Sequence, residues 1–212
     1  MISARKFSDN LVFIAFSDTH GDAEKLTRLH TIIEDTIKRD RAANPNVKHV
    51  LLIPGDVFSV NGIFSTISKG QFDIDTIAAI ANLFPEELRF FTPGNHDFFY
   101  GKDQLLELIK KAKLRTIVSN TEFEKDSGLT FEKTGFFVVD NELIILGGLM
   151  TPETLNCQIA KKLHIAGNTV AAEAVEKEAI TLETQAEAVK NTVYTDDYVF
   201  IQGAEYRPFY VR

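Results

Sequence analysis

Cys157 is the only cysteine in this chain of 212 residues. That excludes an intrachain disulfide and a zinc site built of thiolates, and it fits a reducing compartment. Tryptophan is absent. So is any apolar run of bilayer length: the first, Leu11–Phe16, is short and gives way to Asp18, and nothing later approaches the roughly 20 residues a spanning helix needs. The stretch from Met1 to Asn10 is too polar for a signal peptide's apolar core, so a cytoplasmic location is expected and a membrane partner is not. A basic surplus is lacking too. Lys and Arg number 23 against 30 Asp and Glu, a net charge of −7, with no basic cluster. Binding to a phosphate backbone is therefore not the expected business, and nucleic acid is not an expected partner. No internal repeat or low-complexity tract is visible.

What is present is core material. Apolar residues make up 44% of the chain, with 17 Phe, which argues for one folded domain over 1–212 and against disorder. The first 120 residues alternate strand and helix. Leu26, Leu29, Ile33 and Ile37 keep helical spacing across Asp22–Arg41, ahead of Pro45. Phe72, Ile74, Ile77, Ile80, Ala81 and Phe84 mark a second helix stopped by Pro85, and Leu105, Leu106, Leu108 and Ile109 a third, followed by a strand at Arg115–Ser119. Such alternation predicts an α/β fold with a parallel sheet. From 121 to 212 the pattern changes. Phe131–Val139, a turn at Asp140-Asn141 and Leu143–Leu146 read as a hairpin that Gly147-Gly148 breaks. Ala171–Lys190 reads as a surface helix and Tyr198–Gln202 as a last strand. The segment Phe58–Gly70 reads as a loop able to line a pocket.

Three polar islands follow three apolar runs: Asp18-Thr19-His20-Gly21 after Leu11–Phe16, Gly55-Asp56 after Val50–Ile53, and Gly94-Asn95-His96-Asp97 after Arg89–Phe91. They recur about 40 residues apart, the length of one strand-helix-strand unit. Parallel neighbouring strands would bring all three to one carboxyl edge, where open α/β folds keep their sites. Carboxylate, imidazole and amide without thiol are the ligand set of a hard or borderline divalent metal. The Asp18/His20 pair suits one ion, Asp56 could bridge two, and Asn95 offers a neutral oxygen. His96 could act on a leaving oxygen with Asp97 orienting its ring. Taken singly, each island has a plainer reading: Asp18 as a helix cap, Gly55-Asp56 as a turn, Gly94–Asp97 as a polar loop. His30, His49 and His164 read as structural or solvated, Cys157 as incidental, and the charges of Glu173–Lys190 as a solvated face.

In this order the islands resemble the calcineurin-like metallophosphoesterase superfamily. The stretches PGNHDFFYGKDQLLELIKKAKLRTIVSNTEF, GDVFSVNGIFSTISKGQFDIDTIAAI and LIILGGLMTPET resemble its 5′-nucleotidase branch, and the similarity runs from Leu11 to Thr154. The resemblance implies an α/β/β/α sandwich, truncated on its C-terminal side if the chain is a fragment. It implies two divalent ions among Mn, Zn, Fe, Mg, Co or Ni. Asp18 and His20 would ligate one, Asp56 would bridge, and Asn95 would ligate the second. His96 would assist the leaving group and Asp97 would orient it. The chain departs from the family in one respect. No Gly-His-X-His occurs, and Gly203-Ala204-Glu205 stands where a later His is expected. The resemblance does not extend to the family's nucleoside-binding domain, so nucleotide specificity is not expected to carry over with it. Two functions follow as expectations. One is a metal-dependent, nucleotidase-like phosphoric ester hydrolase acting on a phosphorylated small molecule such as a nucleotide, with an incomplete dinuclear site in which only one ion is firmly held. Glu205, His164 or a second subunit would then replace the missing ligands. The other is a non-catalytic protein of the same fold that serves as a binding or interaction module.

Overall fold

The computed structural model describes residues 2–8, 10–59, 62–120, 131–150 and 198–202. In chain order the elements are β1 (Ile2–Ser8), β2 (Leu11–Phe16), α1 (Ala23–Ala43), β3 (Lys48–Ile53), α2 (Ile63–Ser68), α3 (Gln71–Ala81), β4 (Arg89–Phe91), α4 (Lys102–Ala112), β5 (Arg115–Thr116), β6 (Thr134–Val139), β7 (Glu142–Leu149) and β8 (Tyr198–Gln202). Single 3-10 turns lie at Glu86–Leu88 and His96–Phe98.

Strand alternation sorts the apolar side chains into two layers. Val12, Ile14 and Phe16 of β2, Leu51 and Ile53 of β3 and Phe91 of β4 join the buried faces of α1, α3 and α4 in one cluster. Their neighbours Leu11, Phe13, Val50, Leu52 and Phe90 point the other way, onto Phe137, Val139, Ile144 and Leu146 of the β6–β7 hairpin. Strands covered on both sides read as unbroken apolar runs, which is why they were legible in the sequence. The helices thus lie on one face of a five-stranded sheet, order β1-β2-β3-β4-β5, and a three-stranded sheet, order β6-β7-β8, lies on the other. This is the α/β architecture expected. The outer helix anticipated at Ala171–Lys190 lies outside the described residues, as do His164, Cys157 and Gly203–Glu205.

The first sheet is parallel from β2 to β5. Its β1 edge corrects the expectation: Ile2–Ser8 is a strand antiparallel to β2. An edge strand bonds through its backbone and tolerates charges such as Arg5 and Lys6, so its composition carried no apolar signal. Three further readings are revised. The segment Phe58–Gly70 is not all loop, because α2 forms within it; six residues are too few for a period to register. Regular strand after α4 ends at Thr116, with Ile117 contributing one isolated bridge to Glu132. Gly147 and Gly148 do not break the second strand of the hairpin but belong to it. A Cβ on Gly148 would sit 2.2 Å from the Ile117 carbonyl oxygen and 2.3 Å from the Thr92 hydroxyl, so the glycine permits close approach of the two sheets.

Local chemistry supports the helices that frame the site. Asp22 caps α1 by accepting from the Lys25 amide at 3.1 Å. Arg89, buried, donates to the Phe84 carbonyl through two nitrogens and to the Ala112 carbonyl through a third, tying the segment after α3 to the end of α4. His49 is buried at the start of β3 and meets Asp40 of α1 at 3.1 Å, a structural placement. Among the described residues no helix is long and apolar enough to cross a membrane.

Candidate metal centre

All three polar islands emerge where β2, β3 and β4 end, and the backbone locks them to one another. Hydrogen bonding continues past the strands: the Asp18, His20 and Gly21 amides donate to the carbonyls of Gly55, Asp56 and Val57 at 3.3, 3.2 and 3.0 Å. The first island is therefore laddered onto the second. The third is pressed against the second through glycine. A Cβ on Gly55 would lie 2.2 Å from the Gly94 nitrogen, and one on Gly94 would lie 2.2 Å from Asp56 Oδ1. Neither position has room for a side chain.

This crowding turns the backbone at the candidate ligands. Asp18, His20 and Asp56 have φ of 56°, 48° and 54°, the left-handed region that non-glycine residues adopt at a cost. Those three residues are the ones whose ligand atoms, one from each, all lie within 4.8 Å of one another. His20 Nε2 is 3.7 Å from Asp18 Oδ1. The Ser17 hydroxyl donates to Asp18 Oδ2 at 2.6 Å, and the His96 amide donates to Asp56 Oδ1 at 2.9 Å. The His96 ring stands edge-on to His20, with centroids 4.6 Å apart.

The donor set fits a divalent cation. Asn95 is buried and, among the described residues, its Oδ1 has no hydrogen-bond partner, an arrangement that costs free energy unless something else takes the lone pairs. Asp56 is buried and, among the described residues, forms no ion pair with Lys or Arg. Burial pushes its carboxyl pKa above the usual carboxylate value, while burial and then the neighbouring His96 lower that of His20. Both shifts favour neutral groups, and a cation placed among these atoms would reverse the preference at the carboxylates. The structure thus brings Asp18, His20 and Asp56 together, with His96 against two of them and Asn95 beside it in the chain.

Asp97 departs from its expected part. Its carboxylate accepts from four backbone amides: Val57 at 2.7 Å, Gly94 at 2.8 Å, Asp56 at 2.9 Å and Phe58 at 3.4 Å. None of these hydrogen bonds reaches the His96 ring, whose buried Nδ1 has no partner among the described residues. Asp97 is a clamp between the second and third islands rather than an orienter of His96. Complete burial and then the Asp56 carboxylate push its pKa up to about 7, against the pull of its amide donors. Sequence spacing could not distinguish the two roles, because both place the carboxylate next to His96.

Comparison with known proteins agrees with this geometry. A family model for calcineurin-like phosphoesterases matches residues 11–163, and the chain belongs to that family. Among solved structures it is similar to the Haemophilus influenzae NAD nucleotidase NadN, at 18% identity and a TM-score of 0.57 over 91% of this chain and 38% of that one. It is also similar to a 5′-nucleotidase precursor of Thermus thermophilus, at 18% identity and TM-score 0.60 over 91% and 36%. A putative 5′-nucleotidase of Staphylococcus aureus matches at 19% identity and TM-score 0.60 over 92% and 38%. The chain therefore spans less than two-fifths of the length of these three. At such identities the likeness establishes the fold, the metallophosphoesterase α/β fold. No curated protein sequence matches.

Proposed function

We propose that this chain carries a metal-dependent phosphoric ester hydrolase site acting on a phosphorylated small molecule, nucleotidase-like in its substrate class. The observation that carries the reading is the convergence of Asp18, His20 and Asp56 within 4.8 Å on left-handed backbone. The family membership and the nucleotidase names of the structural neighbours support it. Asp18 and His20 would hold one cation, Asp56 would serve two, and Asn95 would supply its free Oδ1 to the second. Divalent ions held by these residues would supply an activated water and neutralise charge on the phosphoryl group. His96 binds near the departing oxygen and passes it a proton. Asp97 keeps the loops in register by holding their amides.

Among residues with an assigned place, the second position has only Asp56 and Asn95, and the sequence contains no Gly-His-X-His to complete it. We therefore expect feeble turnover from this chain. Metal analysis of purified protein is the direct test. Asp56→Ala should lose bound Mn or Zn, and His30→Ala, on α1 away from the islands, should keep it. Equal metal content in the parent and Asp56→Ala would overturn the site assignment.

A further inference from the structure

Beside the metal cluster lies a cleft of about 400 Å³, a volume suited to a small organic group. His20 belongs to both, so the cleft opens directly from the cluster. One wall is the His20 turn and the first turn of α1, with Asp22, Glu24 and Lys25. The other is the start of α2, with Ile63 and Phe64. The walls are held together at their base, where Gly62 packs so closely on the Gly21 carbonyl that a Cβ would lie 2.3 Å away.

The α2 wall is unusually apolar for exposed surface. Ile63, Phe64 and Ile67 are 67%, 55% and 77% exposed, three large side chains on a helix of six residues. Contiguous apolar surface of this kind marks a contact site. The Phe64 ring leans on Phe72 with centroids 5.5 Å apart, so it is braced from one side while much of it stays open to the cleft. The opposite wall is charge-paired: Lys25 meets Asp22 at 3.3 Å and Arg28 meets Glu24 at 2.6 Å, so neither cation is left to attract a further negative group.

We propose that this cleft seats the organic group esterified to the phosphate, and that Phe64 is its stacking platform and a determinant of specificity. The occupant is an uncharged group with an aromatic face, joined to one phosphate whose oxygens reach the cluster past His20. The proposal rests on the phosphoester reading of that cluster. It adds a source of selectivity built from α1 and α2 of this chain alone.

Calorimetric binding of two non-hydrolysable probes to the Mn-loaded protein tests it, with propylphosphonate compared against 3-phenylpropylphosphonate. The aromatic probe should bind roughly five- to tenfold more tightly, the scale of one aromatic stack. Phe64→Ala should bring the ratio close to one, and Phe64→Trp should keep it. Equal affinities in the parent, or a ratio that survives Phe64→Ala, would overturn the cleft assignment and leave the phosphoester reading standing. Failure of both probes to bind a chain that does hold Mn would overturn both. Self-association of the parent that is abolished by Ile63→Glu would assign the face to a second copy of the chain and also overturn the proposal.

Discussion

Gly94→Ala probes how the candidate centre is built. The new methyl would start 2.2 Å from Asp56 Oδ1, 2.8 Å from the Asp56 nitrogen and 2.9 Å from its carboxyl carbon. Ordinary carbon–oxygen contact needs roughly 1 Å more. Neither side yields easily: Asp56 Oδ1 is held by the His96 amide at 2.9 Å, and the Asp56 amide is held by Asp97 at the same distance. Overpacking of this kind costs about 1–3 kcal/mol, and loss of a charge-assisted hydrogen bond adds about 1.5–3 kcal/mol. Unfolding free energy should fall by roughly 2.5–6 kcal/mol in urea titrations with an unchanged m-value. The more specific consequence is at the metal. Coordination tolerates about 0.2 Å, so an Asp56 carboxylate displaced several times farther should lower Mn or Zn affinity by roughly a hundredfold or more in calorimetry. Gly135→Ala is the control. Its methyl would press on the Ile117 and Phe90 side chains, both in the cluster between the two sheets, and should reduce stability while metal binding persists. A folded Gly94→Ala protein with the parent's metal affinity would refute the idea that the third island positions Asp56.

Two further outcomes follow from the same geometry. His96→Ala should retain bound metal and lose about 10²–10⁴-fold of any measurable phosphomonoester turnover; unchanged turnover would remove His96 from the chemistry. Asp73, fully buried on α3, has its pKa raised by burial to about 6. A raised acid keeps its proton in the folded state after the unfolded chain has released it, so stability should decline as pH rises from about 4 to about 6. The decline at this one group should reach about 3 kcal/mol at most. Asp73→Asn cannot ionise, and its stability relative to the parent should increase over that window; parallel pH profiles would contradict this.

The fold core and the gathering of the three islands at one edge of the sheet were both legible in the sequence, for different reasons. Val50–Ile53 and Leu11–Phe16 are buried on both faces, which forces unbroken apolar runs whatever the register. Leu26, Leu29, Ile33 and Ile37 must lie on one helix face to reach the same core. Asp18, His20, Asp56, Asn95 and His96 each follow such a run, so their location at one edge of the sheet followed once the strands were parallel. Tertiary structure alone decided how those residues are held. Left-handed φ at Asp18, His20 and Asp56 arises from backbone bonds between loops distant in sequence, and no local pattern encodes a neighbour about 40 positions away. Asp97 was expected to serve His96 and instead collects amides from Gly94 and from Asp56 to Phe58, because a buried carboxylate takes whichever donors the packed loops leave without partners. In a linear reading Gly148 looks like a chain breaker and Gly94 like part of a polar loop. In the folded chain each marks a point where another segment passes too closely for a side chain, and only the assembled sheets define such a point.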